Sequence, residues 1–214
     1  MQDIDTVVVV AAGDGPDDLP GLPGGATVIA ADGGLHRALA LGLRPSLVVG
    51  DFDSAEPDAV KAAERAGARV VRHPAAKDAT DLELALEEAL AAGARRIVVV
   101  ASAEGRLDHL AGVLLLLGAE SFAAAEIDAL VGDALVHVVR SERVLHGGVG
   151  DLVTLLALNG PAEGVSTDGL VYPLHGETLE PGSSRGVSNV FSAPDARITV
   201  EHGVVLAILP GAAT

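Results

Sequence analysis

The chain contains no cysteine and no tryptophan, and it has one tyrosine and three phenylalanines among its 214 residues. Without cysteine, neither disulfide bonds nor thiolate metal sites can form. Because aromatic residues are scarce, the core must be built from Val, Leu, Ile and Ala, and 49% of the residues are hydrophobic. No apolar run approaches the roughly 20 residues that cross a membrane, and Met1–Asp5 lacks the basic start of a signal peptide. We therefore expect a cytoplasmic protein.

Positive charge is also scarce, because 14 Lys and Arg residues stand against 30 Asp and Glu residues and the net charge is −16. A nucleic-acid partner would require a basic face, and an anionic membrane surface would repel this chain. We therefore expect neither nucleic acid nor membrane among its partners. A nucleotide substrate is compatible with this charge if Mg²⁺ lies between the phosphates and the protein.

Predicted strands and helices alternate up to about residue 131, which indicates a parallel sheet with helices on both faces. The predicted strands are 6–12, 27–31, 47–50, 69–73, 96–101 and 127–131. The predicted helices are 35–41, 57–66, 110–117 and a segment that starts at Thr80 and ends at Gly93. Thr80 and Glu83 form the capping box of that segment.

The pattern changes after Gly132, where helical periodicity is absent and glycine turns separate short β-like runs. Those runs are 135–139, 152–158, 197–200 and 204–209. The predicted fold is therefore an N-terminal three-layer α/β domain with a parallel sheet, residues 1–131, followed by a small all-β sandwich domain, residues 132–214.

Two carboxylates follow the third predicted strand, because Leu47–Gly50 is succeeded by Asp51 and Asp53. Open α/β sheets bind their ligands beyond the carboxyl ends of the strands. Crowded carboxylates repel each other unless a cation joins them, and hard oxygen ligands suit Mg²⁺. The alternative is a simple turn in which Asp53 or Ser54 caps the next helix.

The same arrangement recurs along the chain, since acidic residues follow the ends of successive predicted strands. They are Asp32, Asp51, Asp53, Asp78, Asp81 and Asp108. The carboxyl ends of parallel strands share one edge of the sheet, so these side chains should gather there. A bound cation, together with the anion that it brings, would relieve their repulsion.

Several of the other candidates also have a purely structural explanation. Asp32-Gly33-Gly34 suits an anionic or ribose ligand, or a tight turn with Asp32 as cap. Arg106 and Asp108 could form only a surface ion pair, and His109 could be an ordinary residue at a helix start. Tyr172 could be a packing residue, and Ser188-Asn189 a turn or cap. The loop 13–25 suits a phosphate cradle less well than a surface loop.

Five ordered motifs lie along the chain, namely Ala31-Asp32-Gly33-Gly34, Gly50-Asp51-Phe52-Asp53-Ser54, Lys77-Asp78-Ala79-Thr80-Asp81, Gly105-Arg106-Leu107-Asp108-His109 and Ser188-Asn189. Together with the α/β-then-β layout, this set resembles the thiamin pyrophosphokinase (thiamine diphosphokinase) family over nearly the whole chain. The resemblance implies transfer of the pyrophosphoryl group of ATP to the hydroxyl of thiamine, with release of AMP. It also implies a homodimer in which thiamine lies between the α/β domain of one subunit and the β domain of the other.

The resemblance assigns a role to each matching position. It implies that the catalytic carboxylates are Asp51, Asp53, Asp78, Asp81 and Asp108, and that the Mg²⁺ ligands are Asp51, Asp53 and Asp81. It implies ATP contacts from Asp32, Gly33, Gly34, Lys77, Thr80, Arg106 and His109. Thiamine would be bound by Tyr172, Ser188 and Asn189, with the tyrosine stacked on its pyrimidine. Lys77 stands where some members have glutamine, and Tyr172 where animal members have tryptophan.

Two other functions fit part of the sequence. Asp51-Phe52-Asp53-Ser54 after a strand also resembles the nucleophile loop of haloacid-dehalogenase phosphohydrolases, although this strand is the third and no later Asp-Asp pair follows. The chain could also be a non-catalytic nucleotide-sensing module that kept the fold. Only the kinase is expected to form AMP in a thiamine-dependent manner.

Overall fold

The computed structural model describes residues 6–15, 19, 25–53 and 55–212, so Ser54 and most of the loop 13–25 lie outside the described residues. The chain divides into two compact units. The first contains the described residues up to Leu116 together with Ala124–Asp133, and the second contains Leu117–Ala123 and Ala134–Ala212. Within the described ranges, no helix combines the length and the apolar character that a membrane span requires.

The first unit alternates strands and helices. Its strands are β1 (Thr6–Val10), β2 (Thr27–Ala31), β3 (Leu47–Gly50), β4 (Arg69–Arg72), β5 (Arg96–Ala101) and β6 (Glu126–Val131). Its helices are α1 (Gly34–Ala40), α2 (Pro57–Arg65), α3 (Asp81–Ala91) and α4 (Leu107–Leu117), the last of which ends in the second unit. The strands lie in the order β6-β5-β1-β2-β3-β4, and every adjacent pair is parallel. The predicted parallel sheet is confirmed.

Helices cover both faces of this sheet. Val8 and Val28 pack with Ala38 of α1, so α1 lies on the face that these strand residues share. Successive residues of a strand point to opposite faces. Ile29, the neighbour of Val28, lines a cavity with Ala91 at the end of α3, and α3 also contacts β1, β2 and β3. α3 therefore covers the opposite face, as the α/β alternation predicts.

The second unit is a β-sandwich. Its strands are β7 (Ala134–Val139), β8 (Glu142–His146), β9 (Leu152–Ala157), β10 (Ala162–Asp168), β11 (His175–Leu179), β12 (Asn189–Val190), β13 (Asp195–Thr199) and β14 (Val205–Leu209). One sheet contains β12-β9-β14-β7 and the other β11-β10-β13-β8, with antiparallel pairing in both. Leu145, Leu155, Phe191 and Ile198 are fully buried or nearly so within its core. The all-β prediction for this region is confirmed.

Helix α4 begins earlier than the sequence predicts, at Leu107 rather than Leu110. The backbone N–H groups of His109 and Leu110 donate to the carbonyl of Arg106 at 3.1 and 3.2 Å. Asp108 and His109 therefore lie in the first helical turn and not in the preceding loop. An acidic side chain is favoured there because it interacts with the positive end of the helix dipole.

Candidate active site

Three carboxylates meet at the carboxyl ends of β2 and β3. One oxygen from each of Asp32, Asp51 and Asp53 lies within 4.8 Å of the other two. Asp32 is only 6% exposed, whereas Asp53 is exposed. The strands β2 and β3 are adjacent and parallel, so the residues that follow them must come together at this edge. The sequence-based prediction that acidic residues gather at one edge therefore holds for these three residues.

The backbone at this edge is unusual. Asp32 has a φ of 45° and Phe52 a φ of 61°. Both values lie in the left-handed region, which residues other than glycine rarely adopt. A Cβ at Gly50 would lie 2.9 Å from the Cβ of Asp32, so glycine is needed for the close approach of the two chain segments. Strain of this kind is concentrated at functional sites.

A lysine side chain extends the cluster to a fourth carboxylate. The ammonium of Lys77 donates to Asp51 Oδ2 at 2.8 Å and lies 3.1 Å from Asp81 Oδ1. The side chains of Lys77 and Asp51 are 14% and 13% exposed. Asp51 also accepts a hydrogen bond on Oδ1 from the backbone N–H of Asp53, at 3.2 Å. Lys77 thus lies between Asp81 and Asp51. The carboxylates of Asp32, Asp51 and Asp53 are themselves close to one another.

The two aspartates of the β3 loop respond in opposite directions to this environment. The hydrogen bond from Lys77 lowers the pKa of Asp51. The negative charge of Asp51 raises the pKa of Asp53, and the charges of Asp32 and Asp81 add to this effect. Burial acts to lower the pKa of Lys77, but its hydrogen bonds to Asp51 and Asp81 raise it overall. A pair of opposed shifts in one cluster is typical of sites that bind ligands or catalyse reactions.

Thr80 caps helix α3, as the sequence predicts, because its side-chain oxygen accepts the backbone N–H of Glu83 at 3.2 Å. We expect Thr80→Ala to lower the free energy of unfolding by about 1 kcal/mol, and Thr80→Ser to retain it, because serine keeps the accepting oxygen. Urea unfolding monitored by circular dichroism measures the difference. Equal stability of the alanine and serine variants would show that the cap is not needed.

The Arg106 motif lies at the start of α4 and is solvent-exposed. Arg106 forms a two-point ion pair with Asp108, with contacts of 3.1 and 2.6 Å. The hydrogen bond from Arg106 lowers the pKa of Asp108 to about 2. His109 and Asp78 are also exposed. Asp108 is therefore held by its near neighbour Arg106 and is not one of the three carboxylates, Asp32, Asp51 and Asp53, that meet at the ends of β2 and β3.

In the second unit, Tyr172 and Asn189 are hydrogen-bonded to each other although they are 17 residues apart in the sequence. The backbone N–H of Tyr172 donates to Asn189 Oδ1 at 3.1 Å, and Asn189 Nδ2 donates to the carbonyl of Tyr172 at 2.7 Å. Asn189 is 3% exposed, whereas Tyr172 is 59% exposed. Ser188 has a φ of 57°, and its N–H donates to Thr154 Oγ1 at 3.1 Å. The asparagine therefore positions the tyrosine backbone and leaves the aromatic ring in solvent.

Two functional-site contacts were missed by sequence reasoning. The guanidinium of Arg72 lies over the ring of Phe52, 4.9 Å from its centroid, and so holds the residue between Asp51 and Asp53. A Cβ at Gly34 would lie 2.0 Å from the carbonyl oxygen of Val10, so α1 can begin this close to β1 only with glycine. The first contact joins distant residues and leaves no sequence pattern. The second is signalled in the sequence by the Gly33-Gly34 pair, to which the family resemblance also assigns ATP contacts.

Comparison with known proteins connects both units to one family. The model described as "Thiamin pyrophosphokinase, catalytic domain" matches residues 24–128. The model described as "Thiamin pyrophosphokinase, vitamin B1 binding domain" matches residues 136–205. The two matches together cover most of the chain and follow each other in the order of the two units. No curated protein matches the sequence significantly.

Solved structures with the same fold include three thiamin pyrophosphokinases. The enzyme from Bacillus subtilis has a TM-score of 0.82 and 24% identity, covering 96% of this chain and 99% of its own. That from Geobacillus thermodenitrificans has a TM-score of 0.77 and 25% identity, with coverages of 96% and 97%. That from Candida albicans has a TM-score of 0.76 and 15% identity, with coverages of 96% and 89%. With both domain models matched in sequence, the chain belongs to the thiamin pyrophosphokinase family.

Proposed function

We propose that this chain transfers the pyrophosphoryl group of ATP to the hydroxyl of thiamine. The hydroxyl oxygen forms a bond to the β-phosphorus, the bond from that phosphorus to the α–β bridging oxygen breaks, and the hydroxyl proton is released. The products are thiamine diphosphate and AMP. The observation that carries the proposal is the convergence of Asp32, Asp51 and Asp53 within the unit that matches the family's catalytic domain.

The carboxylate cluster has the donors that Mg²⁺ prefers. Asp32, Asp51 and Asp53 offer hard oxygen ligands within 4.8 Å of one another. The raised pKa of Asp53, caused first by Asp51, is the mark of carboxylates that repel one another until a cation arrives. The residues therefore fit Mg²⁺, held by Asp51 and Asp53 with Asp32, and Asp81 remains a predicted ligand. When bound, the ion would neutralise phosphate charge in the transition state.

Phosphoryl transfer depends mainly on positioning and charge neutralisation, because its transition state is loose. Arg106 lies at the start of α4 with its guanidinium exposed, and it could bind a phosphate in two-point fashion in place of Asp108. Proton acceptance by Asp81 or Asp78 is part of the proposal. A strong base is not required if little bonding to the incoming hydroxyl oxygen has developed in the transition state.

We propose that thiamine stacks on the exposed ring of Tyr172. The side chain of Asn189 holds the backbone of this tyrosine in place. We expect Tyr172→Ala to raise the KM for thiamine about tenfold, because stacking on an aromatic face contributes about 1–3 kcal/mol. The KM for ATP should change little. Val144→Ala, an exposed apolar position on β8 of the same unit, is the control and should leave both values unchanged. Equal damage to both KM values in Tyr172→Ala would place the tyrosine in a structural role.

We also propose a homodimer in which α4 contacts a second copy of the chain. Leu107, Ala111 and Leu115 lie four residues apart on this helix, and the two leucines are 78% and 53% exposed. Ala111 and Gly112 are exposed as well. Burial of such an apolar stripe against its symmetry mate would remove it from water, and the small residues would permit close helix approach.

Light scattering on the purified protein tests this interface. We expect a dimer for the wild type and a monomer for Ala111→Glu, because a carboxylate would be buried without a partner at the contact. Ala62→Glu places the same charge at an exposed alanine of α2 and should remain dimeric. If the Ala111→Glu protein is still a dimer, α4 is not part of the interface.

The two alternative functions are not favoured, because both domain models belong to thiamin pyrophosphokinases. A cytoplasmic location stays part of the proposal. The direct test is product analysis after incubation of the pure protein with ATP, Mg²⁺ and thiamine. AMP that forms only when thiamine and Mg²⁺ are both present supports the proposal. Phosphate release without thiamine would support the hydrolase, and no ATP consumption at all would support the sensing module.

A further inference from the structure

Lys77 occupies a position at which a metal-binding cluster would be expected to hold a cation. Its ammonium lies between Asp51 and Asp81, 2.8 Å from Asp51 Oδ2 and 3.1 Å from Asp81 Oδ1. The lysine side chain is 14% exposed and the two carboxylates are 13% and 24% exposed. Long flexible side chains of surface ion pairs are usually far more exposed, as the other lysine of the chain shows. Lys61, paired with Asp58 at 3.3 Å, is 61% exposed.

The ammonium of Lys77 contacts Asp51, which is also one of the three carboxylates that meet at the ends of β2 and β3. We refer to Asp32, Asp51 and Asp53 as the carboxylate triad. Oδ2 of Asp51 accepts from Lys77, and Oδ1 accepts from the backbone N–H of Asp53 at 3.2 Å. Both oxygens of Asp51 are therefore engaged before any metal binds. A dication on either oxygen would lie a few ångströms from the ammonium, and two positive charges at that separation repel strongly where water is partly excluded.

We propose that Lys77 is the resident cation of the site. In the nucleotide-free protein its ammonium neutralises Asp51 and Asp81, holds α3 against the β3 loop, and competes with a divalent cation for these carboxylates. Arrival of the nucleotide phosphates then offers the ammonium an alternative anion. The inference rests on the proposed function only in taking the cluster as a divalent-cation site, and it concerns what this lysine does before the nucleotide is bound.

The competition has a consequence that can be measured without the reaction. Removal of the ammonium should tighten the binding of a divalent cation to the nucleotide-free protein. Because the vacated position lies between Asp51 and Asp81, the gain should depend on Asp81. A lysine that only contacts ATP phosphates would have no such effect on the nucleotide-free protein.

The experiment measures Mn²⁺ binding by electron paramagnetic resonance on the full chain without nucleotide. We expect Lys77→Met, which keeps the length of the side chain, to bind Mn²⁺ at least about tenfold more tightly than the wild type. Lys77→Arg keeps the charge and should bind as the wild type does. Lys61→Met removes the same charge from an exposed position and should also leave the affinity unchanged. The double variant Lys77→Met/Asp81→Asn should lose the gain.

Two results would overturn the proposal: equal Mn²⁺ affinity in the wild type and Lys77→Met, or a gain that persists when Asp81 is also neutralised. If Lys77→Met does not fold, Lys77→Gln retains hydrogen bonding without the charge and carries the same expectations. Thermal unfolding gives a second readout, since Mn²⁺ should raise the melting temperature of the neutral variant more than that of the wild type. Absence of thiamine-dependent AMP formation by the wild type would overturn the proposed function and leave this comparison intact.

Discussion

Replacement of Asp51 by asparagine is expected to reduce the rate of thiamine-dependent AMP formation at least about a hundredfold, because preorganised charge at the reacting phosphates usually contributes that much or more. Asp51 is the residue common to the carboxylate triad and to the Lys77 contact. Asparagine keeps its shape but removes the negative charge that both a metal and Lys77 require. The measurement is initial rate at saturating ATP and thiamine, with Mg²⁺ in excess.

Asp58→Asn is the matched control for this variant. Asp58 lies in the first turn of α2, its side chain is 94% exposed, and its partner is the exposed Lys61. The same chemical change there should leave the rate unaltered, since an exposed ion pair contributes little. Circular dichroism should show that both variants are folded. If a folded Asp51→Asn protein has wild-type activity, the carboxylate triad is not part of the catalytic site.

Replacement of Gly34 by alanine is expected to lower the free energy of unfolding by about 3 kcal/mol or more, because overpacking against immobile atoms is among the most destabilising changes known. The added Cβ would lie 2.0 Å from the carbonyl oxygen and 2.8 Å from the carbonyl carbon of Val10. Both atoms belong to the backbone of the central strand β1, so neither can move aside cheaply. Urea unfolding of the variant measures the loss.

Gly160→Ala provides the comparison, because a Cβ there meets nothing within 4 Å and the backbone does not require a positive φ. It should change the stability by only a few tenths of a kcal/mol, as surface substitutions usually do. If the Gly34→Ala protein has normal stability but fails to bind ATP, Gly34 acts in ATP binding, as its motif implies. Normal stability with normal binding would contradict both explanations.

The α/β unit could be predicted closely from the sequence because all of its strands except the edge strand β4 are largely buried on both faces. β2 and β5 coincide with the predicted ranges 27–31 and 96–101, and Val7–Val10 of β1 are all fully buried. Such strands appear in sequence as continuous apolar runs. The parallel arrangement then placed Asp32, Asp51 and Asp53 at one edge without further information, which is why this part of the site was accessible.

The β-sandwich was predicted less completely because several of its strands carry mixed residues. β8 and β11 alternate few apolar residues with exposed polar ones, and β10 shifts register twice against β11. A shift breaks the two-residue periodicity from which strands are recognised. β8, β10, β11 and β12 therefore had no counterpart among the predicted runs, although the class of the unit was correct.

Within the site, long-range contacts set the limit of sequence reasoning. The pairing of Arg106 with Asp108 spans two residues, and a surface ion pair was the structural alternative that the sequence offered for them. Lys77 reaches Asp51 across 26 residues, and Arg72 reaches Phe52 across the β3–β4 pair. Their positions depend on where β4 and α3 fall beside β3, which no local pattern specifies. The sequence identified the carboxylates and Lys77 as candidates, and the structure showed that Lys77 lies between Asp51 and Asp81.

The most direct test of pyrophosphoryl transfer uses ATP labelled with ³²P at the γ-phosphorus, incubated with the protein, thiamine and Mg²⁺. The account predicts that the label appears in thiamine diphosphate and that unlabelled AMP forms in equal amount, because the β- and γ-phosphorus atoms move together. Label in inorganic phosphate regardless of thiamine, or label in thiamine monophosphate with ADP as the other product, would contradict it.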